Sequence, residues 1–127
     1  MRIMVIDDSV TMRRIEIVAL KNAGYTDVVE AENGKSALTI LKDQKMKLPD
    51  LILLDWNMPE MNGLELLKIL KKDNELKKIH VIMVTTESEK ENVVEAAKNG
   101  ASGFLVKPLT PEKFRIQVIQ KINLHKL

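Results

Sequence analysis

The chain has 127 residues, long enough for one domain with its own core and short of two. It is 45% hydrophobic and 30% charged, as a packed interior under a solvated surface requires, and its 3% aromatic content argues against a stacking platform for single-stranded nucleic acid. A net charge of +2 gives nucleic acid little to hold, and the lack of cysteine excludes disulfides and thiol chemistry and fits a reducing, cytoplasmic setting.

In chain order, the first apolar run, Ile3–Ile6, stops at Asp7-Asp8, too soon for a signal peptide. No run approaches the ~18 residues of a membrane span, so no membrane insertion is expected. A short continuous apolar run reads as a strand covered on both faces of a parallel sheet. Met12, Ile15 and Ala19 then recur at helical spacing. Residues 27–31 read as a weaker strand whose Asp27 and Glu30 suit a sheet edge. Ala37, Ile40 and Leu41 mark a second helix, Leu51–Leu54 a third strand, and Leu64, Leu67 and Leu70 a third helix, with Asn62 placed to cap it. Ile79–Val84 is the fourth strand, and Ser88 with Glu91 predicts a capping box for a helix whose apolar members are Val93, Val94 and Ala97. Gly103–Val106 is the fifth strand. Thr110 followed by Pro111 opens a last helix carrying Phe114, Val118 and Ile122.

The basic pairs Arg13-Arg14, Lys71-Lys72 and Lys77-Lys78, interleaved with acids, read as solvated helix faces. A β-α unit repeated five times predicts an α/β domain over residues 1–127, an open five-stranded parallel sheet with helices on both faces.

In such a sheet the reactive groups lie beyond the carboxyl ends of the strands, which right-handed crossovers bring to one edge. Asp7-Asp8 follows the first strand, Asp55 the third, Thr85 the fourth and Lys107 the fifth. Three carboxylates sharing a site repel one another unless a cation intervenes, and a hard divalent ion such as Mg²⁺ suits oxygen donors. Lys107 adds a compact positive charge, which leaves room for a phosphoryl group, and an Asp carboxylate can itself receive phosphate. Taken singly, each of these residues is as well explained as a cap, a turn residue or a surface charge. Their joint occurrence at four strand ends is what points to phosphoryl or metal chemistry.

Val5-Ile6-Asp7-Asp8-Ser9, Asp55 through Gly63, Val84-Thr85-Thr86-Glu87 and Lys107-Pro108 together resemble the motifs of response-regulator receiver domains. Thr11-Met12-Arg13-Arg14, Trp56-Asn57 and Gly100-Ala101-Ser102-Gly103 are similar to the stand-alone chemotaxis members of that family. The resemblance spans the whole chain, leaves no output domain, and implies a flavodoxin-like (βα)5 fold with strand order 2-1-3-4-5. It implies Asp55 as phosphoacceptor, Mg²⁺ held by Asp8, Asp55 and the Asn57 backbone carbonyl, with Asp7 acting through a water. Lys107 would pair with a phosphoryl oxygen, Thr85 would turn its hydroxyl to another, and the Lys107–Pro108 peptide would be cis. The implied partners are a sensor histidine kinase as phosphodonor, a flagellar-motor switch protein and, in addition, a phosphatase. The chain would act as a monomer, a signalling phosphoacceptor that assists its own phosphorylation and dephosphorylation rather than an enzyme. The output surface would be the helix beginning near Ser88, the last strand and the last helix, with Lys90, Glu91 and Ile116 exposed.

Phe104 stands where the family often has a tyrosine switch residue, and lacking a hydroxyl it is expected to favour a buried ring. Thr86 is larger than is common there and would narrow access to Asp55. His80 and His125 are not site candidates. A receiver serving as a phosphate sink or relay without a motor target is the alternative reading. A Mg²⁺-dependent aspartyl phosphatase would want a D-x-D-x-T spacing absent here, and a flavodoxin-like cofactor binder would want a glycine-rich loop after the first strand.

Overall fold

The structure is a computed structural model and describes residues 1–86, 90–107 and 109–127, with the backbone alone at Lys90. The elements run β1 (Ile3–Ile6), α1 (Val10–Asn22), β2 (Val28–Ala31), α2 (Gly34–Leu41), β3 (Leu51–Asp55), α3 (Gly63–Lys72), a 3₁₀ turn (Leu76–Lys78), β4 (His80–Thr85), α4 (Lys90–Lys98), β5 (Gly103–Val106) and α5 (Pro111–Leu124). Among the described residues the strands form one parallel sheet in the order β2-β1-β3-β4-β5. This is the α/β architecture and strand order that the sequence and its resemblance imply.

Alternation along the strands splits the core in two. Met4, Ile6, Ile52, Leu54, Val81 and Met83 face α2, α3 and α4. Ile3, Val5, Leu51, Leu53, Ile82 and Val84 face α1 and α5, where Ala19, Leu20, Phe114, Val118 and Ile122 close over them. Both faces are therefore dry, and polar groups can meet solvent chiefly at the strand ends.

Side-chain caps fix where the helices begin. Ser9 accepts from Met12 N–H, and Asn33 and Asn62 form capping boxes with Ser36 and Glu65. Thr110 accepts from Lys113 N–H with Pro111 in the first turn. The Ser88 capping box lies outside the described residues.

Three expectations need correction. The inner residue of α4 is Ala96, while Val93 and Val94 are 39% and 42% exposed and Ala97 is exposed too. In α1 the buried positions are Arg13, Glu16, Ala19 and Leu20, and Met12 and Ile15 are only half-buried. Nor are all the basic pairs solvated. Arg13 is buried, and Lys71 is half-buried because its ammonium donates to the carbonyls of Lys77 (3.1 Å) and Ile79 (2.8 Å), closing the turn before β4.

Candidate functional site

The parallel ladder carries two polar residues further into the strands than their hydrophobicity suggests. Asp55 pairs in register with Val84 and is the last residue of β3; Thr85 pairs with Val106 and is the last of β4. Both are buried. Their neighbours are tied across the same edge: Trp56 N–H donates to Val84 O (3.1 Å) and Lys107 N–H to Thr85 O (2.6 Å). The loop after Asp55 is pinned by Gly63, whose N–H donates to Trp56 O at 2.8 Å. A Cβ on Gly63 would overlap the Asp55 carbonyl oxygen and come within 2.9 Å of Trp56 Cα, so only glycine lets α3 start this close to the acid.

Asp7, Asp8 and Asp55 each place a carboxylate oxygen within 4.8 Å of the others. Asp7 and Asp55 are buried and Asp8 is exposed. Asp7 is fixed at both oxygens, Oδ1 accepting from Ser9 N–H (2.9 Å) and Oδ2 from the Lys107 ammonium (2.9 Å). The same ammonium donates to Asp55 Oδ1 at 3.3 Å and is only 11% exposed. Burial, then the Asp7 charge, push the Asp55 carboxyl up to about 6; Lys107 opposes this and Asp8 adds to it. For Lys107, burial acts to lower the pKa, but the hydrogen bond to Asp7 and the charges of Asp55 and Asp7 outweigh it and leave it raised. Among the described residues the Lys107 ammonium thus pairs with two of the three carboxylates, Asp7 and Asp55, and Asp8 has no cation bonded to it. Hard oxygen donors in a cluster this tight, partly open to solvent, fit a Mg²⁺-sized divalent ion that keeps some of its water.

The other sequence candidates fall around this cluster. Asn57 is exposed in the loop after β3, and its side-chain amide donates to the Thr86 hydroxyl at 3.3 Å, across the mouth of the site. Phe104, half-buried on β5, sets its ring edge-on to Trp56 (centroids 6.3 Å apart, planes at 67°). Pro108, and with it the geometry of the Lys107–Pro108 peptide, lies outside the described residues.

Two residues near the site were not candidates from sequence. Arg13 donates from Nη1 to the Asp7 carbonyl oxygen (2.7 Å) and from Nε to Glu30 Oε1 on β2 (2.9 Å). Glu16, one turn along α1, is 2% exposed. Burial, and next the Asp7 charge, push its carboxyl up to about 8, with Lys107 opposing and Asp55 adding. Glu16 falls where an apolar residue would extend the α1 stripe of Met12, Ile15 and Ala19, a weak signal of a polar group buried near Asp7, whereas Arg13 lies beside that stripe and carries no such signal.

The switch-point edge of an open α/β sheet, holding three acids and a lysine, is the class of site that receiver domains share. The family description "Response regulator receiver domain" matches residues 3–119, and the chain belongs to that family. Within it the chain is of the CheY type. It is 44% identical over 128 residues to chemotaxis protein CheY1 of Helicobacter pylori strain J99, covering 97% of this chain and 99% of that one. The structure of Vibrio cholerae CheY4 matches 95% of this chain and 97% of its own with a TM-score of 0.81 and 36% identity. The phosphorylated cyanobacterial phytochrome response regulator RcpA matches 99% and 95%, with a TM-score of 0.85 and 26% identity.

Proposed function

We propose that this receiver takes a phosphoryl group onto Asp55 from a phosphohistidine of a sensor kinase and changes its affinity for a flagellar-motor switch protein in response. The observation that carries this reading is the Lys107 ammonium bridging Asp7 and Asp55 while its own backbone N–H holds the Thr85 carbonyl. Asp8 and Asp55, with the Asn57 carbonyl and Asp7 through a water, would hold Mg²⁺. When bound, the ion supplies positive charge that offsets the charge developing on the phosphoryl oxygens.

The chain's own groups do the rest. An Asp55 carboxylate oxygen attacks phosphorus in line, the P–N bond of the phosphohistidine breaks, and the imidazole leaves with its electron pair and gains a proton. Lys107 is already within reach of Asp55 and follows the new negative charge. Thr85, at the end of the adjacent strand, offers its hydroxyl to another phosphoryl oxygen. Because the backbones of Thr85 and Lys107 are bonded, a shift at one is felt by the other and by β5. An output face lies beyond: Val93 and Val94 on α4, Val106 on β5 and Ile116 on α5 are 37–43% exposed. Apolar side chains left open on adjoining elements suit a partner that docks there. The chemotaxis assignment draws on the names of the chemotaxis relatives.

The test is incubation with a small-molecule phosphodonor and Mg²⁺, followed by intact-mass measurement. One base-labile phosphoryl group should be added, and Asp55→Asn should remove that addition while the fold persists. Undiminished labelling of the variant would end the acceptor assignment.

A further inference from the structure

Arg13 bonds the backbone of the acid cluster at Asp7, and its setting is unlike that of a surface arginine. Its side chain is 10% exposed, and its guanidinium spans two elements, from the Asp7 carbonyl (2.7 Å) to Glu30 on the edge strand (2.9 Å). The carbonyl it holds belongs to the peptide that joins Asp7 to Asp8. That peptide is planar, so fixing its oxygen fixes the direction in which the chain leaves Asp7 and presents Asp8. The other end of Asp7 is tied as well, its N–H donating to Ala31 O at 3.2 Å. Asp7 is further held by its carboxylate bonds to Ser9 and Lys107. Asp8 is exposed and takes its aim from the backbone beneath it.

We propose that Arg13 is a positioning residue for the cation site, acting through the Asp7–Asp8 peptide to aim the Asp8 carboxylate at the Asp7 and Asp55 oxygens. This inference rests on the reading of the cluster as a Mg²⁺ site. The Glu30 carboxylate, at the far end of the strut, keeps the guanidinium plane turned to the Asp7 carbonyl, and a planar fork with fixed donors suits that double task better than an ammonium.

Charge and geometry predict opposite signs when Arg13 is removed. Deleting a cation beside an acid cluster, on electrostatics alone, tightens binding of a divalent ion. Losing the strut loosens Asp8 and weakens it. Outer partners that orient metal ligands typically contribute about 10–100-fold to affinity.

The experiment is a Mg²⁺ titration of the full chain followed by the fluorescence of Trp56, the residue next to Asp55, with chelator-treated melts run alongside. Arg13→Met should raise the Mg²⁺ midpoint about tenfold. Arg13→Lys, which can reach only one of the two acceptors, should raise it by about threefold, and carries the test if the methionine variant does not fold. A midpoint unchanged or lowered in these variants, with Asp8→Ala still weakening the response, would overturn the inference and leave Arg13 as a strut for the fold alone. A wild-type chain that shows no Mg²⁺ response, or one that Asp8→Ala leaves unmoved, would instead bring down the cation-site reading and this inference with it.

Discussion

The two ends of the sheet treat polar groups in opposite ways. At the amino end they are matched. Arg2 N–H donates to Asp50 (2.8 Å), and the Arg2 guanidinium donates to Asp27 (3.2 Å) and the Lys47 carbonyl (2.8 Å). Lys71 closes two carbonyls, and Ser102 joins His80 (3.0 Å) to His125 (2.9 Å), whose rings lie 5.4 Å apart. At the carboxyl end three acids crowd together, two of them, Asp7 and Asp55, share the Lys107 ammonium, and a fourth acid, Glu16, is buried nearby. One edge spends its polar groups on holding the fold; the other crowds like charges that a bound cation would relieve. Removing an acid at the carboxyl edge should therefore stabilise the fold, and removing a donor at the amino edge should destabilise it.

The largest effect is expected at Glu16. Its carboxyl titrates near 8 in the folded chain against an ordinary 4.5, so the folded state holds a proton that the unfolded state releases first. Stability is full below about pH 4.5, falls as pH rises through that window, and levels off above 8. Glu16→Gln cannot ionise. Urea unfolding in chelator should show it matching wild type near pH 5 and exceeding it at pH 9, by an amount on the order of a few kcal/mol. Parallel curves across that range would show that Glu16 is not held protonated.

At the amino end the sign reverses. Lys71→Met should destabilise by about 1–2 kcal/mol, because two carbonyls lose a charged donor, while the Mg²⁺ midpoint stays at the wild-type value. A shifted midpoint would mean that the two edges are coupled through the sheet. The smallest effect belongs to Phe104→Tyr. A hydroxyl gives the outward ring a polar contact worth about 0.5–1.5 kcal/mol, which should widen the difference in affinity for the proposed motor partner between phosphorylated and unphosphorylated chains. A pull-down under both conditions checks it, and an unaltered difference would make Phe104 a space-filling residue.

Much of this was legible in the sequence because the strands are nearly continuous apolar runs and a parallel sheet sends their polar followers to one edge. Asp7, Asp8, Asp55, Thr85 and Lys107 were all visible as such followers. What stayed hidden depends on partners far along the chain. Arg13 is buried because Glu30 and the Asp7 carbonyl wait for it, and its neighbour Arg14 is exposed, so the pair looks uniform only in one dimension. The inner face of α4 is hidden for a related reason. Its periodicity admits two stripes, and close packing on the sheet favours the small Ala96 over the larger valines. The pairing of His80 with His125 needs α5 to return beneath β4, which no local pattern announces.

The carboxyl-end cluster is held together against its own charge. Thermal unfolding of wild type and Asp55→Asn, in chelator and then in Mg²⁺ at pH 7.5, tests it most directly. In chelator the variant should be the more stable, since Asp55 ionises near 6 in the folded chain against an ordinary 3.8 and its charge opposes folding above that range. In Mg²⁺ at about 100 times the dissociation constant, wild type should gain about 2.7 kcal/mol, and the variant, missing one ligand, should gain less, so that the order narrows or inverts. A variant less stable than wild type in chelator, or equal gains from Mg²⁺ in both, would contradict the account.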